Sequence, residues 1–521
     1  MVKYLQFLGV AALFTQLLSS CGGGGKANDQ DTGPTRKSIT KAEEERVITL
    51  CSSCHPFVPA DMLDKKTWLE GVVPAMAAKM GIFEYKGKTF INEKDDPALP
   101  EGIYPSTPTI SESDVQLLLD YFNLKAPESM GEQKRSTPIG DFTDLFSPVS
   151  PDLEIKEPPF TTFVAVFPQR KEFVIGSSGQ KHDIGAYTTD LREVWKMPTP
   201  SAPAWVDFSD PKKWLITAMG PVEPNNRKLG SMVELRMPDQ GKPELANLVM
   251  ENLPRPVMIQ RLNAGGKDGF LINGFGHLAG QLYWQGAGAR PAPEYSLRSK
   301  PGAIRSIITD WNQDGKQDVL SLFAQNLEGI FLFLQNNDGT FTEKKLLEFL
   351  PVYGSSWFEY VDINGDGKKD IVYTCGDNAD FSVALKNYHG VYVYLNKGND
   401  QFEQAWFYPI HGCYRVSVRD FDLDGDLDMV TVGYFADFNN QHEESLLYFA
   451  NDGKLSFTPY KVHGFDRGRW LTLDAGDVDG DGDQDLVLGN FSMGPQSNMT
   501  EQLSRQFASS QPFMVLKNKK R

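Results

Sequence analysis

The stretch DVDGDGDQD, Asp477 to Asp485, puts aspartates at the first, third, fifth and ninth positions of a loop and Gly482 at the sixth. Alternate side chains of a tight loop can turn toward one point, and the glycine permits the sharp bend. Carboxylates that converge repel one another unless a cation sits among them, and a hard, oxygen-liganded ion such as Ca²⁺ suits the arrangement. The loop recurs as DWNQDGKQD from Asp310, DINGDGKKD from Asp362 and DFDLDGDLD from Asp420, at spacings of 52, 58 and 57 residues. Asp and Gly also mark plain turns, so the recurrence carries the reading.

Each loop runs into an apolar strand: Val319 to Leu322, Ile371 to Thr374, Met429 to Val432 and Leu486 to Gly489. A further strand then ends in an N-x-G or N-D-G turn, as in FLFLQNNDGTF, VYVYLNKGNDQF and LLYFANDGKLSF. That is the pattern of a four-stranded propeller blade. Three worn copies lie upstream, in RLNAGGKDGFLINGFG, in VDFSDPKKWLITAMG from Val206 and in AVFPQRKEFVIGSSG from Ala165. Seven blades over residues 158–521 follow. Closure of the ring is expected from pairing of the last strand, Met514 to Asn518, with the first blade, which removes exposed edges.

The repeats resemble the FG-GAP or VCBS family, whose blades carry a Ca²⁺ loop of this form. Positions one, three, five and nine give the expected side-chain ligands of about four Ca²⁺. They are Asp310, Asn312, Asp314 and Asp318; Asp362, Asn364, Asp366 and Asp370; Asp420, Asp422, Asp424 and Asp428; and Asp477, Asp479, Asp481 and Asp485. The seventh residue would give its carbonyl. An EF-hand is the competing reading, but no Glu occupies position twelve and strand-like residues follow. Four copies on successive blades read as structural pins more than as a sensor.

Residues 1–20 carry Lys3 and the apolar run YLQFLGVAALFTQLL, an export signal. Leu18-Ser19-Ser20-Cys21 resembles the bacterial lipobox, which implies lipid on Cys21. Residue 22 is Gly and not Asp, so lipoprotein sorting points to the outer membrane, on its periplasmic side or at the cell surface. Residues 21–37 are a Gly-rich polar tether.

A helical pattern from Ser38 or Thr40 then runs into Cys51-Ser52-Ser53-Cys54-His55. Two thiols three apart can form thioethers to one haem, and the adjacent histidine can reach its iron. A zinc half-site or a redox CxxC are the other readings; the nearest further cysteine is Cys375, which weakens the zinc reading. TWLEGVVPAMAAKMGI resembles the methionine-bearing stretch of small monohaem class I cytochrome c domains. The resemblance implies haem c as cofactor, with Met76 as sixth ligand and Met80 as runner-up. It covers residues 38–127 and ends with ISESDVQLLLDYFNLKAP, whose Val115, Leu118, Leu119 and Phe122 share one helical face. The expected fold is therefore a small all-α cytochrome c domain followed by an all-β seven-bladed propeller. Residues 128–157 read as a linker.

The net charge of −16 argues against a nucleic-acid partner. Fourteen carboxylates at ligand positions account for much of that acidity. Among the five cysteines, Cys375 and Cys413 are candidates for a disulfide or for two buried thiols. G-x-S-x-G and H-E-x-x-H are both missing from the sequence, and the histidines after His55 are scattered over the blades, His411 being the most suggestive. The functional expectation is a lipid-anchored electron carrier more than a catalyst, with a redox partner protein or dehydrogenase. A propeller oxidoreductase or polysaccharide-acting enzyme, and a glycan- or protein-binding module, are the alternatives.

Overall fold

The computed structural model describes residues 38–239, 241–288, 295–379, 384–494 and 499–520. The signal segment, the tether and Cys21 lie outside the described residues. Lys41 to Arg521 form one compact unit.

Seven antiparallel sheets follow one another as blades, with inner strands Thr161–Phe167, Pro203–Asp207, Pro256–Ala264, Ala303–Thr309, Ser355–Val361, Cys413–Arg419 and Trp470–Gly476. Each inner strand pairs with the second strand through a register shift near its start, as between Ala303 and Arg305 or Ser355 and Trp357. The shift is present in the blades that lost the acidic loop as well as in those that kept it, so all seven are copies of one unit. Blades pack face to face through apolar clusters, such as Phe163, Trp195 and Trp214 between the first two. Full burial of each such side chain stabilises by about 1.5–3 kcal/mol.

Ring closure differs from the expectation. The last strand, Phe513–Asn518, is the third of blade seven, and its outer partner is Phe146–Val149, with Asn518 opposite Phe146 and Val515 opposite Val149. Gly140–Phe142 adds a parallel fifth strand to blade six, pairing Tyr460 with Gly140. Both strands come from the stretch read as linker. Joining residues from before blade one to residues after blade six ties the two ends of the ring, and it covers edges that would otherwise stay open.

Among the described residues, three α-helical segments and a 3-10 turn, Ala60–Met62, precede the ring. Helix α1 is Lys41–Cys51; a second stretch runs Lys65–Thr67, through a π turn at Trp68–Val72, into α2, Val73–Lys79; α3 is Glu112–Lys125. Ser111 starts α3 with a reciprocal capping box to Asp114, which satisfies amides that a helix start leaves open. Val115, Leu118, Tyr121 and Phe122 form its buried face, while the expected Leu119 is only half-buried. Trp68 stacks on Phe122 with ring centroids 3.7 Å apart. The Arg46 guanidinium donates two bonds, of 2.9 and 3.0 Å, to the Asp114 carboxylate and so ties α1 to α3.

This helical layer sits on one face of the ring. Asn226 Nδ2 donates to Glu93 (2.7 Å) and Asp96 (2.9 Å), His277 Nε2 lies 2.6 Å from Glu93, and Tyr388 donates to the Met62 carbonyl at 3.0 Å. Asn226, His277 and Tyr388 all lie between second and third strands. The acidic loops join first to second strands, so they occupy the opposite face. From the 128–157 stretch, Arg135 reaches the fully buried Glu444, whose other oxygen is 2.8 Å from His411 Nδ1. That stretch is thus a strap laid along blades five to seven.

Candidate functional sites

The four acidic loops share one internal pattern. The first aspartate caps amides of positions five and six: Asp310 accepts from Asp314 and Gly315, both at 3.0 Å, and Asp362 from Asp366 and Gly367 at 3.0 and 2.8 Å. Asp420 accepts from Gly425 and Asp477 from Asp481 and Gly482. The third residue, Asn312, Asn364 or Asp422, accepts from the fifth, and the fifth accepts from the seventh.

The ninth residues are placed differently. Asp318, Asp370, Asp428 and Asp485 are buried, and each carboxylate bridges two backbone amides. One belongs to loop position two (Trp311, Ile363, Phe421, Val478), and the other lies at the end of the third strand or, for Asn396, two residues before it (Gln335, Asn396, Asn451, Asn518). The side-chain amides of those strand-end residues reach back to the carbonyl of position eight, for example Asn451 to Leu427 at 3.0 Å. In the second and third loops the asparagine of the N-x-G turn noted in the sequence is the other half of the acidic loop, a link its spacing alone does not disclose. Two of these amides also cross between blades, Gln335 to the Asn263 carbonyl and Asn518 to that of Phe421.

Cation fit varies among the loops. In the third and fourth, ligand atoms of Asp420, Asp422 and Asp424, and of Asp477, Asp479 and Asp481, lie within 4.8 Å of one another. Oxygens of Asp420, Asp479 and Asp483 are buried without a hydrogen-bond partner among the described residues, an orphaned acceptor set that suits a hard cation. Burial pushes the Asp428 and Asp485 carboxyls up to about 6 and Asp483 to about 7, neighbouring carboxylates adding to the effect. In the first two loops the seventh residue is a lysine. Lys316 Nζ lies 2.5 Å from Asp314 and Lys368 Nζ 3.6 Å from Asp366, an internal cation beside the fifth position.

The Cys-His motif lies at the end of α1. Cys51 is buried, and burial pushes its thiol up to about 12; Cys54 is exposed, and both are free thiols. His55 Nδ1 is 2.8 Å from the Pro56 carbonyl. A carbonyl only accepts, so Nδ1 donates, and Nε2 is the ring nitrogen left to ligate a metal. These groups fit attachment and ligation of a haem. Met76 is half-buried on α2, and Met80 is buried just beyond it, where its carbonyl accepts from Thr109 at 2.9 Å.

The ring axis carries a charged group that the sequence reading missed. Arg305 and Arg415 stack on Trp357 from the two neighbouring blades, each guanidinium carbon 3.6 Å from the ring centroid. Glu359 lies 3.5 Å from Arg305 and accepts from Trp357 Nε1 at 3.0 Å, while Asp474 accepts from the Val166 amide at 2.8 Å. Charged residues inside otherwise apolar inner strands were the available signal. Arg305 pairs with Glu359, Arg415 Nη1 donates to Thr472 Oγ1, and Arg419 lies close enough to act on both Arg305 and Asp474, so each of these charges is engaged by neighbouring protein groups. Aromatic residues on and beside the inner strands divide between core and rim: Phe358 and Trp470 are buried in blade packing, and Tyr414, Tyr434 and Phe435 cluster at the mouth on the helical face. Cys375 and Cys413 are buried free thiols. His411 is a buried histidine satisfied by Glu444, and burial holds His389 well below the usual imidazole range.

The fold and its loops define a seven-bladed propeller with acidic inter-strand loops. Residues 310–373 and 378–431 match the FG-GAP-like repeat, spanning blades four and five and the start of blade six. No curated protein matches the chain in sequence. Among solved structures, BBS1N in complex with ARL6DN is similar at 9% identity and a TM-score of 0.37, over 74% of this chain and 93% of that one. The periplasmic gluconolactonase PpgL of Pseudomonas aeruginosa is similar at 14% identity and a TM-score of 0.39, over 58% and 85%. Among the described residues no helix is long and apolar enough to cross a membrane.

Proposed function

We propose that the chain is an extracytoplasmic electron-transfer protein, a helical haem c carrier mounted on a propeller that docks a redox partner protein or dehydrogenase. The observation that carries the reading is the end of α1, where two free thiols three residues apart precede a histidine whose Nδ1 is held by a backbone carbonyl. Cys51 and Cys54 would hold the porphyrin, with His55 and Met76 on the iron. Bound haem would supply a reversible one-electron couple, and a methionine ligand would raise its potential. The chain's own residues set the rest. The Pro56 carbonyl orients His55, the Trp68–Phe122 stack supplies an apolar wall, and the Arg46–Asp114 pair holds α1 against α3. Cations in the acidic loops, Ca²⁺ by their oxygen donors, would pin inner strands on the far face. Lipid on Cys21 would tether the protein to the bacterial outer membrane.

Two observations favour a carrier over a catalyst acting on the ring axis. The axial charges are engaged by neighbouring protein groups, and the helical layer occupies the opposite face from the acidic loops. Export of the full chain in a host with haem c maturation should give a protein with a c-type absorption spectrum. A colourless protein would end the proposal. Loss of the methionine-to-iron charge-transfer band in Met76→Ala but not in Met80→Ala assigns the sixth ligand, and the reverse pattern reassigns it to Met80.

A further inference from the structure

A cavity of about 490 Å³ opens on the helical face of the ring where blades seven, one and two meet. Its size is that of a small-molecule site. Phe160 and Phe491 form one wall, an edge-to-face pair with centroids 5.4 Å apart. Val222 and Leu229 extend this apolar side. Ser178, His182, Ser201 and Glu223 supply hydroxyl, imidazole and carboxylate groups around it. The polar side is partly fixed: Ser201 Oγ accepts from the Gly220 amide at 2.9 Å, and His182 Nδ1 lies 3.4 Å from Ser178 Oγ. Gly220 has φ +88°, and a Cβ there would meet the Leu229 backbone at 3.3 Å, so the loop base is shaped by the glycine.

We propose that this cavity binds a neutral saccharide of one or two rings. Among the described residues lining it none is Lys or Arg, so a phosphate or carboxylate ligand would meet Glu223 without a countercharge. A purely apolar ligand would offer no partner to the hydrogen-bonding capacity that the Ser, His and Glu groups have left over, at a cost of about 1–3 kcal/mol for each group left unpaired. A sugar ring satisfies both sides: its C–H face packs on Phe160 and Phe491, and its hydroxyls both donate to Glu223 and accept from the serines. The loop Gly220 to Leu229 also carries Asn226, which bonds Glu93 and Asp96 of the helical layer. The bound sugar would therefore lie beside that layer, whether or not a haem is attached there.

The test is titration calorimetry of the full chain with cellobiose, maltose, mannobiose and lactose, and with digalacturonate as the charged control. At least one neutral disaccharide should bind, and Glu223→Gln, an exposed position that leaves the fold intact, should weaken it about tenfold. Phe491→Ala should weaken it by a similar factor. No binding of any neutral sugar, preference for digalacturonate, or unchanged affinity in both Glu223→Gln and Phe491→Ala would overturn the proposal.

Discussion

Replacing the ninth residue of an acidic loop should destabilise the ring even when every cation is removed. Asp428 is the clearest case. It accepts from the Phe421 amide at 3.2 Å, the Asn451 amide at 2.9 Å and the Tyr448 hydroxyl at 3.0 Å, all in the interior of blade six. Asp428→Ala strands three buried donors. At about 1–3 kcal/mol each, with incomplete additivity, the loss should be about 3–6 kcal/mol. Asp424 is exposed and caps only the Asp426 amide at 3.0 Å, so in chelator Asp424→Ala should stay within about 0.5 kcal/mol of the parent. Saturating Ca²⁺ at a hundred times Kd should stabilise the parent by about 2.7 kcal/mol per site, and Asp424→Ala should forfeit that gain at its site. Urea unfolding followed by tryptophan fluorescence, with EDTA and with Ca²⁺, separates the two effects. If Asp428→Ala is neutral in EDTA, or if Asp424→Ala is equally harmful with and without Ca²⁺, the division of the loop into staple and ligands is wrong.

Calorimetric titration of the chelated protein with Ca²⁺ should resolve two classes of site. The loops at Asp420 and Asp477 should bind more tightly than those at Asp310 and Asp362, because Lys316 and Lys368 already supply a cation there. Lys316→Gln should strengthen the Asp310 site, and four equal sites would refute the argument. Arg135→Ala should cost about 3–5 kcal/mol, since it leaves a buried charge on Glu444, and thermal melting with limited proteolysis of the 128–139 strap reads it; Arg135→Ala melting with the parent would count against the strap. The Arg46 guanidinium holds the Asp114 carboxyl down to about 2, below its usual 3.8. A depressed carboxyl contributes stability above its unfolded value and loses it as pH falls from about 4 to about 2. With Arg46 half exposed, the contribution should be about 1 kcal/mol, and Asp114→Asn should flatten that part of the acid unfolding curve.

The propeller was legible because its signal repeats. The acidic loops, the apolar strands after them and the N-x-G turns fixed blade number through the worn copies at Ala165, Val206 and Arg261, whose inner strands keep the same register shift. Ring closure was not legible. Phe146–Val149 is four residues long with a proline in it, and only its pairing with Phe513–Asn518 makes it a strand. The ninth aspartates carry the same letter as their neighbours, yet burial gives them a different task. The axial charged group depends on four inner strands meeting, which no local pattern records. At the end of α1 the five residues CSSCH place two thiols beside a histidine, and the Pro56 carbonyl bonded to His55 is a detail that only the backbone path discloses.

The proposed electron carrier depends on a haem held by Cys51 and Cys54. Intact mass spectrometry of the chain exported with haem c maturation tests it directly. A mass increase of one haem in the parent, lost in Cys51→Ser/Cys54→Ser while the propeller still folds, is the predicted result. An unmodified parent mass under conditions that mature a control cytochrome c would contradict it.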